Sequence, residues 1–334
     1  MPLRRRPPSK HRDNSGPDGT TSAGEPAGPR DRGRFAPICG QTDRVPAAHV
    51  VDRLLPWLLR LAWIGVLVAG GATIEDATAD RSDGFGDAIG IIGFAGWVAG
   101  VVAMAVPAVA SLTAVRIIVP MATPVAIVAA IGASSVLDGV LFVLTSVVAA
   151  LVALSAELGR AFVQASAYGE EDRHLLRPPV AYLAAAVVAW LLWTAAAIGA
   201  PLLLAGGRWV LGTLLALVAL GLAAFGWPRW HRLASRWFVI VPIGVVVHDS
   251  LVLGETLLLR RQELARLRLA PADTDAADLT GPAAGHAVEI ATNDTVDVFL
   301  AATPKQPRGK LLHLTGCLIA PSRPGRALAA AADR

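Results

Sequence analysis

Lysine is nearly missing from this 334-residue chain: Lys10, Lys305 and Lys310 are the whole complement. Arginine carries the basic charge instead, a compositional bias without functional content. Cysteine is almost as scarce. Cys39 and Cys317 stand far apart, with no C-x-x-C pair that could seed a metal knuckle. Both fall in segments expected on the cytoplasmic side, where a disulfide does not persist. Charge is thin at 17% of residues, against about 25% in a typical soluble domain. Several mechanistic motifs are also missing: no G-x-x-x-x-G-K-[ST] phosphate loop, no H-E-x-x-H, no G-x-S-x-G, no S-x-x-K and no EF-hand loop. The expectation is therefore a protein that is not an enzyme, with no catalytic, metal-binding or cofactor-binding residues and no cofactor.

What the chain has is apolar surface. Hydrophobic residues make up 54% and the mean hydropathy is +0.53. From Leu54 to Gly226 one apolar block follows another, separated by short polar seams. A spanning helix needs about 20 apolar residues, and six segments meet that need: 55–74, 88–109, 117–133, 139–156, 180–204 and 209–226. The run 117–156 would reach roughly 60 Å as one helix, about twice the hydrocarbon thickness. It must fold back, and Gly132–Gly139 is the turn-rich place to do so.

The fold class predicted is an α-helical membrane protein of six transmembrane helices followed by a small α+β tail. Residues 1–48 form a basic leader without apolar periodicity, which predicts disorder. Residues 54–226 form the membrane domain and 237–334 the tail.

Orientation follows from arginine in the short loops. Arg44, Arg53, Arg116, Arg160, Arg173, Arg177, Arg229, Arg232 and Arg236 fall on one side, and Arg81 and Arg208 on the other. The positive-inside rule puts both termini in the cytoplasm of a plasma-membrane protein. The formal net charge of +4 then reports orientation and contact with the bilayer, and no nucleic-acid partner is expected.

In the tail, 238–247 reads as one buried strand, and 255–259 and 264–269 as further strands. Residues 271–280 read as a polar loop. Segments 286–291 and 296–301 read as a hairpin around Thr292-Asn293-Asp294, and 310–320 as the last strand. Pro324 opens a short alanine-rich helix. This order is similar to a pleckstrin-homology-like domain, a curved sheet closed by a C-terminal helix. With Val245-Val246-Val247-His248-Asp249 and Asp278-Leu279-Thr280 in the tail, the architecture resembles a family of actinobacterial multi-pass membrane proteins. That resemblance implies the PH-like fold and a host but brings no activity. It carries no lipid-binding residues over, because the first strands lack a basic cluster.

Four residues are candidates for function. Arg116 and Asp138 are ionisable groups inside or beside spans, where such groups are functional by default. Against this, Arg116 suits a topology anchor and Asp138 a wet turn. His248 and Asp249 are a base-and-carboxylate pair, but neighbours on a strand point to opposite faces. Gly96 and Gly100 form a G-x-x-x-G that serves either packing within the chain or a homo-oligomer seam. The leading functional expectation is a scaffold or regulator whose tail, 237–334, docks a cytoplasmic protein or the membrane surface. The alternative is a small-solute permease built on the proline-interrupted 117–156 pair.

Overall fold

A computed structural model describes residues 45–302 and 306–334, with side chains from Leu54 onward. Most of the expected disordered leader, with Cys39, lies outside these residues.

Among the described residues, six helices are long and apolar enough to cross a membrane. They are α1 (Val45–Thr78, of which Leu54–Thr78 is the apolar part), α2 (Asp83–Ala105), α3 (Val109–Gly132), α4 (Val136–Leu154), α6 (Val180–Ala205) and α7 (Trp209–Ala234). The fold-back falls at 133–135, inside the stretch expected to turn. Several boundaries differ from expectation. α3 begins at Val109 rather than 117, and α7 continues past Gly226 through Pro228 to Ala234. The added turns bury Leu112 and Val115 on α3 and Trp230 and Ala234 on α7, so packing within the protein holds them. α3 runs unbroken past Pro120 and Pro124, and the 117–156 pair breaks only at 133–135.

Leucine, isoleucine, valine and phenylalanine side chains remain exposed along all six spans, as helices facing lipid require. A core at Leu59, Trp63, Leu112, Val115, Val119, Phe142 and Ala149 holds α1 to α4 together. Tryptophan N–H groups tie helices at backbone carbonyls. Trp63 Nε1 donates to Trp97 O (3.0 Å) and Trp97 Nε1 to Trp63 O (2.8 Å). Trp190 Nε1 donates to Ile117 O, and Trp230 Nε1 to Ala186 O. In an apolar medium such bonds satisfy donors that would otherwise be costly.

The seam after α4 is not a plain loop. It holds an amphipathic helix, α5 (Ala156–Gln164), which buries Leu158, Phe162 and Val163, and a strand, β1 (Asp172–Leu175). Beyond α7 come β2 (Arg236–Val241), β3 (Gly244–Asp249), β4 (Leu257–Arg260), β5 (Leu264–Leu269), β6 (Ala277–Asp278), β7 (Val288–Leu300), β8 (Lys310–Ile319) and α8 (Pro324–Ala332). They form two four-stranded sheets, ordered β1-β2-β3-β4 and β5-β7-β8-β6. Phe238, Ile240, Val247, Leu259, Val288, Ile290 and Ile319 fill the space between the sheets. The sheets meet at isolated bridges, Leu176 with Pro321 and Leu253 with Leu300. The ladders do not close into a barrel.

Three readings of the tail need correction. The single strand at 238–247 is the hairpin β2–β3, turning at Pro242-Ile243. Gly244 is required next, because a Cβ there would lie 2.1 Å from Leu259 O. The polar loop at 271–280 contains β6, which pairs parallel with β8. The hairpin expected at 292–294 is instead one strand, β7, with a wide bulge: Ala291 pairs Gly316 and Val296 pairs Leu314. Asn293 N donates to Glu263 O and its Nδ2 to Gln262 O, so the bulge is held by the β4–β5 corner.

Candidate functional site

The densest polar arrangement lies where the tail meets the spans. β1 pairs antiparallel with β2, Asp172 opposite Ile240 and Leu175 opposite Trp237. A segment between the fourth and fifth spans thus completes a sheet of the tail. The same joint carries further backbone bonds. Leu176 N donates to Arg236 O, Arg177 N to Ala320 O, Ser322 N to Leu175 O, and Val180 N to Pro282 O. On α5, Glu157 pairs with Arg323, which precedes α8.

Arg236 is the hub. It is the first residue of β2 and lies directly opposite Asp249, the last of β3. Nε donates to Asp249 Oδ1 at 2.7 Å and Nη2 to Oδ2 at 2.6 Å, a bidentate pair with both side chains 1% exposed. Nη1 donates to Arg177 O at 2.7 Å. Asp249 Oδ1 also accepts from Leu251 N. The fork therefore joins three chain segments, and its charge is matched within the protein.

Beside the hub, α5 and β1 are clipped together. Gln164 Nε2 donates to Glu171 O, and its Oε1 accepts from Arg173 N. Arg160 donates to Asp172 at 2.9 Å. His174 is buried, with Nε2 3.4 Å from Asp172 Oδ2. Burial pushes the Asp172 carboxyl up, but His174 and Arg160 together outweigh it and hold the group well below the usual carboxylate range.

The four expected residues are not brought together. His248 and Asp249 face opposite sides of the sheet. The His248 ring stacks on Trp237 at 4.9 Å, and its Nδ1 lies 2.9 Å from Thr256 Oγ1. Burial lowers the His248 pKa, Asp249 opposes that shift and Arg173 adds to it. Asp249 gives both carboxylate oxygens to Arg236 and makes no hydrogen bond to His248 among the described residues. Asp138 lies in the first turn of α4, its N–H facing the Ser135 cap. Asp76, from the end of α1, accepts there from Ser134 Oγ at 2.6 Å and Ser135 N at 2.8 Å. Arg116 sits on α3 at the level where α4 ends, with Nη2 3.4 Å from Ser155 O.

The helix pair of the G-x-x-x-G is explicit at one glycine. A Cβ on Gly100 would lie 2.4 Å from the Trp63 ring, whereas Gly96 has nothing within 4 Å. Gly100 is thus used within the chain.

Arg236 itself escaped sequence reasoning, which read it only as a loop charge. The available signal was an arginine and an aspartate at the two ends of a hairpin, and it needs the hairpin to be recognised first. Among the described residues no cluster of three or more His, Cys, Asp or Glu side chains could hold a metal. No family model, curated protein or solved structure matches the chain.

Proposed function

We propose that this protein is a plasma-membrane scaffold or regulator, not an enzyme, that holds a β-sandwich at a set position on the cytoplasmic face for a protein partner to dock. One observation carries the reading: β1, drawn from between two spans, is an edge strand of the tail's sheet. A tail joined only by its own linker would swing freely. One locked by a four-residue ladder, a buried ion pair and the Glu157–Arg323 pair moves with the spans. Arg160, Arg173, Arg177, Arg229, Arg232 and Arg236 lie on the tail side and support a cytoplasmic placement. The exposed apolar residues Ile243 at the β2–β3 tip and Phe299 on β7 are candidate contacts for the partner.

The test uses the full chain in its native membrane. Reporter fusions at Asp83 and at the C-terminus are expected to report opposite sides, with the C-terminus cytoplasmic. A photo-crosslinking residue at Ile243 or Phe299 is expected to capture one discrete protein, lost when Asp249→Ala loosens the joint. An external C-terminus, or crosslinks to lipid alone, refutes the reading.

A further inference from the structure

Among the described residues, two arginines at the joint between the spans and the tail, Arg116 and Arg177, have no carboxylate partner, and Arg177 donates to His286 O. Arg160, Arg173, Arg236 and Arg323 each pair with a carboxylate. Arg116 pairs with none among the described residues. Among the described residues its hydrogen bond is the long one to Ser155 O, and its Nε is enclosed without a partner there. Desolvating a guanidinium without a counter-charge is strongly unfavourable, yet the surroundings are shaped to admit it. On α5 a Cβ at Gly159 would lie 2.5 Å from Arg116 Nη2 and 2.6 Å from Leu175 Cδ1, so any larger residue would press on the guanidinium and on β1.

Its place in the fold says where a counter-charge can come from. Arg116 is level with the end of α4 at Leu154 and the start of α5. This is the interface on the tail side, where lipid phosphates lie at the edge of the hydrocarbon layer. The residue is partly exposed, and a guanidinium fork matches phosphate oxygens in charge and shape.

We infer that Arg116, framed by Ser155 and Gly159, is a phosphate-group site that takes the phosphodiester of an anionic lipid in the tail-side leaflet. The lipid supplies the negative charge that no described side chain provides. This goes beyond the scaffold reading and does not depend on it, because it requires no protein partner.

The experiment is native mass spectrometry of the purified full chain, titrated with phosphatidylglycerol, with phosphatidylcholine or with inorganic phosphate. The wild type is expected to retain one phosphatidylglycerol in preference to phosphatidylcholine. Arg116→Gln is expected to weaken that retention roughly fivefold, the scale of one basic side chain at an anionic surface. Arg229→Gln, at an exposed arginine satisfied by Phe225 O of its own helix, is expected to leave it unchanged. Gly159→Ala keeps the charge and displaces it, and is expected to weaken retention as well. It carries the test alone if the Arg116 variant does not fold. Equal retention by wild type and both site variants overturns the assignment. So does equal loss in Arg229→Gln, which would mean general surface charge. If inorganic phosphate displaces the lipid and binds as tightly, free phosphate rather than lipid is the ligand, and the lipid assignment falls.

Discussion

Asp249→Ala is the substitution with the largest expected effect on the joint. It leaves Arg236 charged, with its side chain 1% exposed, and without the two carboxylate bonds at 2.7 and 2.6 Å. Removing one partner of such a pair costs about 3–5 kcal/mol, because the remaining charge stays desolvated. Part of the guanidinium is still satisfied by Arg177 O, which favours the lower half of that range. In opening equilibria 3–5 kcal/mol is roughly two to four orders of magnitude. The assay is hydrogen exchange of the full chain in detergent, read peptide by peptide. Amides of β1, β2 and β3 are expected to exchange faster together, because Leu176 N bonds Arg236 O and β1 pairs β2. The spans α1 to α4 are expected to keep their protection.

The double variant Arg236→Met with Asp249→Leu separates the charge from the geometry. It removes the stranded charge but leaves Arg177 O without its donor, at about 1–3 kcal/mol for a buried unsatisfied group. It is therefore expected to be less destabilised than Asp249→Ala alone, which no additive scheme allows. Wild-type exchange in Asp249→Ala, or a change confined to the turn at 250–253, would refute the argument that this pair ties the tail to the spans.

Three further outcomes follow from the same structure. Gly100→Ala is expected to destabilise the α1–α2 contact by about 1–3 kcal/mol, since its Cβ would fall 2.4 Å from the rigid Trp63 ring. Gly96→Ala, with nothing within 4 Å, is expected to be neutral in thermal unfolding, and equal effects would remove the distinction. On acidification the Asp172 clip is expected to weaken. Its folded-state pKa is depressed, so its stabilisation is full above the ordinary carboxylate value near 3.8 and declines as pH falls below it. Exchange of β1 amides followed from pH 6 downward tests this, and Asp172→Asn should flatten the profile. Cys317 is buried and its thiol is pushed up to about 12 by burial. With Cys39 replaced by serine, maleimide labelling at neutral pH is expected only after the sandwich opens, and rapid labelling of the native chain would contradict the packed core.

The spans were legible because the signal for a membrane helix is local: a run of apolar residues matched to bilayer thickness. Their ends were less legible because α3 and α7 continue through residues whose helicity comes from neighbouring helices and not from lipid. Asp138 and Arg116 could be placed near interfaces from position alone. Asp138 meets Ser135 three residues away, but the surroundings of Arg116 could not be read, since Ser155 and Gly159 reach it from elements distant in sequence.

The tail shows the opposite case. Its strands carry β-pattern locally, but the unit they build is not contiguous. The four residues Asp172-Arg173-His174-Leu175 have no apolar alternation to mark them, and they are a strand because β2 offers an edge. Arg236 is then fixed opposite Asp249 by the register of β2 and β3, which turns a charge read as a loop anchor into the hub of the joint. A fragment starting at Trp237 would omit both Arg236 and β1, leaving Asp249 buried without its cation and β2 as an open edge. Such a fragment would test a different molecule, because the tail's sheet depends on a strand that the membrane domain supplies.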